Sequence, residues 1–325
     1  MIITRTPFRI SFAGGGTDLA SFYRAYEGGA VTAAAIDRFI HVVVNEKFDP
    51  SIRVAYSKTE NVESVDELQH GLVREALRLT KVHRAVEVHT IADIPGEGTG
   101  IGSSSSLTVG LLNALYAYSG LVVDPARLAE EACRIEINIL HGVLGKQDQY
   151  IAAFGGLNFI EFRPDDTVRV HPLPLTRSDL DALSSHLSLF YTGTARSSQP
   201  LLKEQDARTV ENRDTLLRMR DLAVSMRDAL VARNWDRAGE LLDEGWQLKR
   251  GLTSGISNDK IDEWYAQARA AGALGGKITG AGGGGFLFIF HPPERSAQVA
   301  QALSPLERMA VRISPEGSRI LMVQR

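Results

Sequence analysis

Between Pro95 and Ser106 the chain reads Pro-Gly-Glu-Gly-Thr-Gly-Ile-Gly-Ser-Ser-Ser-Ser, with glycine at Gly96, Gly98, Gly100 and Gly102 and four serines directly behind. Glycines let a backbone turn its N–H groups toward a ligand with no Cβ in the way. If a helix starts at the serines, its N-terminus adds unpaired donors and the positive end of a dipole. The chemistry on offer is anion binding, and phosphate is the favoured anion. A flexible linker is the competing reading, but a linker does not sit between two apolar elements of one core.

Two carboxylates further on could act on such a phosphate. Glu136 falls in the middle of the apolar face that Leu128, Ala129, Ala132, Ile135, Ile139 and Leu140 make at helical spacing. A carboxylate in that position is costly unless it is paired or metal-bound. A buried Glu–Arg pair and a magnesium ligand are both open, and the nearby glycine–serine loop favours magnesium, which sits between carboxylates and phosphates. Asp148 stands at the start of a short element that closes at Gly155-Gly156, where an aspartate is commonly a helix cap. Upstream, Gly14-Gly-Gly-Thr-Asp18 has more glycine than a cap at Thr17 or Asp18 requires, and suggests a ligand against the backbone. Arg9, just before it, alternates out of phase with Phe8 and Ile10, a position usually solvated.

These residues need elements to hold them. Strand patterns cover 2–13, 36–48, 52–56 and 86–94, the last leading into the glycine–serine loop. The uncharged run 107–118 predicts a buried helix, and Asp124-Pro125 restarts another over about 126–140. Strands follow at 157–162 and 168–173, a helical turn at 178–183 and a strand at 187–191. The charged stretch 200–249 predicts two helices broken around Asn234, and Asp259 to Ala271 a further one. Eleven residues from Gly275 to Gly285 include seven glycines and feed the apolar strand Phe286–Phe290, which implies close backbone approach to another element or a ligand. A helix near 295–303 and strands near 309–313 and 320–323 end the chain. The domain boundary is expected near residue 180, giving units 1–180 and 181–325.

Composition excludes several classes. Of 325 residues, 44% are hydrophobic and 23% charged, with a formal net charge of -3, so there is no basic footprint for nucleic acid or an anionic membrane. One cysteine, Cys133, excludes an intrachain disulfide and fits a reducing, cytoplasmic compartment. The N-terminus lacks a signal-peptide pattern, and no apolar run approaches bilayer-spanning length. The glycine–serine loop is not a Walker A motif, having no Gly-Lys-Ser/Thr, nor a dinucleotide fingerprint, since Ser103 replaces the third glycine. The scattered histidines make zinc improbable.

Three segments taken together resemble the three motifs of the GHMP kinases, the family of galactokinase, homoserine kinase, mevalonate kinase and phosphomevalonate kinase. They are Thr6 to Asp18, Pro95 to Ser106, and Lys277 to Phe286, in order and spanning nearly the whole chain. The resemblance implies an α+β fold of two domains (N-terminal ribosomal protein S5 domain 2-like, C-terminal ferredoxin-like), with the substrate between them. It implies ATP phosphates on the second motif, at Gly98, Gly100, Ile101, Gly102, Ser103, Ser104 and Ser105, and Mg2+ held by Ser104 and Glu136. Asp148 matches the catalytic aspartate, Arg9 the arginine of the first motif, and Asp18 the aspartate that binds sugar hydroxyls, with Gly15, Gly16 and Thr17 beside it.

The first motif lacks the glutamate and histidine of galactokinases, and with Tyr191-Thr-Gly-Thr-Ala-Arg-Ser-Ser198 it is similar to the branch of heptose-phosphate and fucose-type kinases. For that branch the expected reaction is transfer from ATP to the anomeric hydroxyl of a heptose 7-phosphate, in a route to nucleotide-activated heptose. A second phosphate needs a basic contact, for which Arg196 is the candidate and Arg38 a weaker one. A hexose 1-kinase of the fucose or galactose type is the alternative enzyme. A sugar- and ATP-binding regulator without turnover, and a decarboxylase of the same superfamily, are the readings from other classes. The expected partners are a small sugar phosphate and ATP, with neither nucleic acid nor membrane.

Overall fold

Strands β1 (Ile2–Ala13) and β2 (Gly29–Glu46) pair antiparallel along nearly their whole length and form the spine of the first sheet. β2 is the longer because it serves two neighbours on its far edge: residues 29–34 pair with one strand and residues 40–46 with another. Its burial follows from this. Residues 29–36 are buried on both faces, whereas 40–45 alternate. Sequence patterning finds only the second half, since the run Gly-Ala-Val-Thr-Ala-Ala-Ala has no period-two polarity to read.

The computed structural model describes residues 1–94, 98–194 and 197–324. Within them the first sheet continues with β3 (Ile52–Ala55), β4 (Thr59–Val62), β5 (Val86–Ala92), β6 (Leu157–Phe162) and β7 (Val168–Pro172). A second sheet, in the order β11-β8-β10-β9, is built from β8 (Leu187–Tyr191), β9 (Gly275–Ile278), β10 (Phe286–Phe290) and β11 (Glu307–Ala310). The last strand, β12 (Arg319–Val323), returns to the first sheet and pairs with the start of β1.

The helices of the first half are α1 (Ala20–Tyr23), α2 (Gly71–Thr80), α3 (Ser103–Tyr118), α4 (Pro125–Cys133), α5 (Gln147–Phe154) and α6 (Arg177–Ser184). α3 lies on β1 and β2 and is flanked by α2, α4 and α5, which accounts for its lack of charge: Ser105 through Tyr116 are all buried. α4 begins as its sequence predicts, with Asp124 accepting from the Arg127 N–H and Pro125 in the first turn. A reciprocal Thr176–Asp179 capping box starts α6, across the expected boundary at residue 180.

The second half carries α7 (Gln199–Ala207), α8 (Arg213–Val231), α9 (Trp235–Arg250), α10 (Asp259–Ala270) and α11 (Ser296–Ala302). The charged stretch is therefore three helices rather than two. The expected break is present, with Asn234 capping α9 through the Arg237 N–H. The extra one falls between Ala207 and Arg213. α8 packs on β1 and β2 while α9 packs on β9, so this helix pair joins the two sheets. Buried side chains of β8 and β10 accordingly share one apolar cluster with those of β1, β2 and α3. A smaller cluster around Trp246, Tyr265 and Leu287 fills the far side of the second sheet. No helix among the described residues is long and apolar enough to cross a membrane.

Candidate active site

Pro7 interrupts β1, and the register against β2 shifts just after it. Beyond that point the other edge of β1 is taken by the glycine–serine loop. The Arg9 N–H donates to the Ile101 carbonyl at 3.0 Å, and Ser106 Oγ donates to the Pro7 carbonyl at 2.8 Å. The loop is thereby fixed to the strand that carries Arg9. α3 starts at Ser103, earlier than the apolar run predicts, so Ser103 to Ser106 form its first turn; the N–H groups of Ser103 to Ser105 are those a helix leaves unpaired, while that of Ser106 donates to the Gly102 carbonyl. Gly98, Gly100, Gly102, Ser103, Ser104 and Ser105 all line one cleft of about 490 Å3. Ile101 does not. It is fully buried, and its carbonyl is spent on Arg9.

Arg9 is 5% exposed, contrary to its strand phase. The face it occupies is covered by the loop and α5 instead of water. Its Nη1 donates to the Gly100 carbonyl at 2.6 Å, while Nε and Nη2 donate to Asp148 Oδ1 and Oδ2, both at 2.6 Å. This is the two-pronged geometry in which guanidinium–carboxylate hydrogen bonds are strongest. Asp148 therefore does not cap α5. Lys146 occupies the cap position, and the Asp148 carboxylate faces the cleft with Arg9.

Asp18 and Thr17 are not caps either. Asp18 is buried, accepting from the Gly16 N–H at 2.9 Å and the Gln147 N–H at 3.2 Å. Burial, and secondly the charge of Asp148, raise its carboxyl above the usual range. It reaches Gln147 only because residue 145 is glycine: a Cβ on Gly145 would lie 1.9 Å from Asp18 Oδ2. Gly15 and Gly16 line the cleft with it. Thr17 is a correction to the sequence reading. Its hydroxyl donates to the Gly14 and Ala30 carbonyls at 2.8 and 2.9 Å, so it ties the loop to β2 and does not face the cleft.

Glu136 sits where α4 widens into a π-helical segment, Arg134–Ile139. Such a widening is common at functional sites because it turns one extra side chain inward. Glu136 is 4% exposed and lies behind Ser104 and Ser105. Gln149 Nε2 donates to its Oε2 at 2.6 Å, and among the described residues no arginine pairs with it. Burial pushes its carboxyl up to about 7, against the lowering effect of Gln149, Ser105 and Ser104. A carboxylate that hard to ionise, with serine hydroxyls against it and the Gln149 Oε1 beside it unpartnered among the described residues, fits a divalent cation: an added positive charge removes the penalty. Among the described residues there is no cluster of three or more His, Cys, Asp or Glu, so phosphate oxygens and water would complete any such coordination.

The glycine-rich stretch before β10 approaches both the glycine–serine loop and the cleft. Thr279 Oγ1 donates to the Thr99 carbonyl at 3.1 Å, and a Cβ on Gly100 would lie 2.6 Å from the Thr279 carbonyl. The second and third motifs are thus packed backbone to backbone. Among the cleft residues that escape the sequence reading as functional groups, two are cationic, Lys249 and Lys277. Lys249 had a readable signal, since it falls two turns beyond Leu242 on the apolar face of α9, as Glu136 does on its own helix. Arg38 lies away from the cleft, bonded to the Ala310 carbonyl. Arg196 lies outside the described residues.

Comparison with known proteins defines the class. The models for "GHMP kinases N terminal domain" and "GHMP kinases C terminal" match residues 70–156 and 226–305. A D-glycero-alpha-D-manno-heptose 7-phosphate kinase of Campylobacter jejuni is 30% identical over 316 residues, 93% of each chain. A mevalonate kinase of Methanothermobacter thermautotrophicus is 30% identical over 84% of this chain and 86% of its own. The crystal structure of a D-glycero-D-manno-heptose 1-phosphate kinase from Bacteroides thetaiotaomicron superposes with a TM-score of 0.83 at 26% identity, covering 100% of both chains. The protein is an ATP-dependent phosphotransferase with the two-domain fold these relatives share. The chain belongs to the GHMP kinases.

Proposed function

We propose that this kinase transfers the γ-phosphoryl group of ATP to the anomeric hydroxyl of D-glycero-D-manno-heptose 7-phosphate, giving the 1,7-bisphosphate. The product would serve nucleotide-activated heptose synthesis in the cytoplasm, where ATP is available. The observation that carries the reading is the Asp148 carboxylate, clamped by Arg9 and facing the same cleft as Ser104 and Asp18. The similarity to two heptose-phosphate kinases supports the choice of sugar.

In this reading, N–H groups of Gly98, Gly100 and Gly102 to Ser105 cradle the triphosphate at the start of α3. Ser104 and Glu136 would hold Mg2+, which when bound offsets charge on the phosphate oxygens. Asp18 accepts hydrogen bonds from sugar hydroxyls and orients the ring, with Gly15 and Gly16 allowing close approach. Asp148 takes the proton from the anomeric O–H as the new O–P bond forms. The bond from the γ-phosphorus to the bridging oxygen breaks, and its electron pair leaves with ADP. Arg9 keeps the Asp148 carboxylate aligned on the hydroxyl through its two hydrogen bonds.

ADP release over a panel of heptose 7-phosphate, heptose, fucose and galactose tests the assignment. A kcat/KM for heptose 7-phosphate at least about 100-fold above the neutral sugars is expected, the discrimination a charged recognition site typically supplies. A higher kcat/KM for a neutral hexose would replace the reading with a hexose 1-kinase. ATP binding with no ADP release for any sugar would leave a regulator.

A further inference from the structure

Two ammonium groups in the cleft have no part in the scheme above. Lys249, near the end of α9, and Lys277, on β9, are 6% and 5% exposed, and both line the cleft. The ammonium of Lys249 donates to the Gly280 carbonyl. For that of Lys277 there is no hydrogen bond among the described residues, and neither lysine forms a salt bridge with a carboxylate there. A buried cation without a counter-ion carries an uncompensated desolvation cost, which an anionic ligand would offset. Two such cations side by side repel each other as well, and Arg9 adds to the repulsion.

Both lysines line the cleft together with Asp18, Gly15 and Gly16. The pair also lines a recess behind the first-motif glycines, with Phe12, Ala13, Gly14 and Gly15, that contains no residue of the phosphate-binding loop. Arg9 cannot substitute for them, since three of its donors are already committed to Asp148 and Gly100. The two lysines, neither with a carboxylate partner among the described residues, therefore share the cleft with the residue assigned to the sugar.

We propose that Lys249 and Lys277 form the receptor for an anionic group on the acceptor, the phosphate remote from the hydroxyl that is phosphorylated. This deepens the function proposed above and rests on it, and it gives the second phosphate a site made of described residues. The cleft thereby selects a phosphorylated sugar over its neutral counterpart, because only the former neutralises the lysine pair.

The test uses Lys277→Met and Lys249→Met, with Lys277→Gln as a neutral but polar variant in case methionine is not accommodated. Two quantities are read: the ratio of kcat/KM for heptose 7-phosphate to that for heptose, and binding of inorganic phosphate with the nucleotide site saturated by a non-hydrolysable ATP analogue. Each variant should lower the ratio about 10- to 100-fold, the worth of one charged hydrogen bond, mainly through KM, and weaken phosphate binding to match. A parallel fall for both sugars would assign the lysines to the transferring phosphoryl group, and a rise confined to the KM for ATP would assign them to the nucleotide. Either result overturns the proposal. If the unsubstituted enzyme turns over no sugar, the kinase reading fails separately. Phosphate binding then decides: binding that both substitutions abolish keeps the site, and no binding removes it.

Discussion

Arg9 and Asp148 are 139 residues apart in the chain and meet through two hydrogen bonds of 2.6 Å each. The pair fastens the first strand to α5 and aims one carboxylate into the cleft. Asp148→Asn keeps the shape and removes the base, so kcat should fall about 10²- to 10⁴-fold with the KM for ATP little changed. Steady-state kinetics with varied ATP check this, and an unaltered kcat would remove Asp148 from the chemistry. Arg9→Lys keeps a charge but cannot span both oxygens, and kcat should drop about 10- to 100-fold.

Glu136 and Ser104 should report on the metal. Glu136→Gln retains an acceptor for Gln149 and loses the charge. The Mg2+ concentration for half-maximal rate should rise at least about tenfold, with a smaller rise for Ser104→Ala, since a carboxylate contributes more than a hydroxyl to a hard cation. Titration of rate against Mg2+ at saturating ATP measures both, and identical curves for Glu136→Gln and the unsubstituted enzyme would exclude it as a ligand.

Gly145 is a test of Asp18. An alanine there would put its Cβ 1.9 Å from Asp18 Oδ2 and 2.2 Å from Cγ, so the carboxylate must swing off the Gln147 N–H. A displacement of about 1 Å in a positioning group can cost about 10²-fold. Gly145→Ala should therefore raise the KM for the sugar and lower kcat, with ATP binding preserved in calorimetry. Weakened ATP binding would show that the loop carrying Gly145 supports the nucleotide side as well.

Lys249 gives a pH signature. Burial first, and Arg9 second, lower its folded-state pKa to about 8 from the ordinary lysine value of 10.5, while Asp18 and Asp148 oppose the shift. Between those values the unfolded chain holds a proton that the folded chain does not, so stability rises with pH across that window. Relative to Lys249→Met, the unsubstituted protein should gain up to about 3 kcal/mol from about pH 8 to about pH 10.5, with no differential change below pH 8. Urea unfolding of both proteins without ligand checks it, and parallel pH curves would mean that the buried ammonium is solvated.

Much of the site was legible because its demands are local. Four alternating glycines and a serine run can be read as an anion loop on the page, and the sequence places Glu136 among apolar neighbours at helical spacing. Lys249 could have been found by the same spacing argument. Arg9 could not. Its strand phase points to solvent, and only the arrival of α5 and the loop on that face buries it. The common cap reading of Asp148 missed for a related reason: its partner, Arg9, is remote in sequence, as Gln147 is from Asp18.

The amino-acid sequence by itself determined the three glycine-rich segments, most of the elements between them and the residue types available for phosphoryl transfer. These follow from backbone sterics and short-range periodicity, which act within a few residues. The tertiary structure alone decided which groups face one another. It packed Gly100 against Thr279, gave Arg9 to Asp148, and left Lys249 and Lys277 beside Asp18 with no carboxylate bonded to either among the described residues. Charge and desolvation depend on what the fold brings within a few ångströms, and chain order carries no measure of that distance.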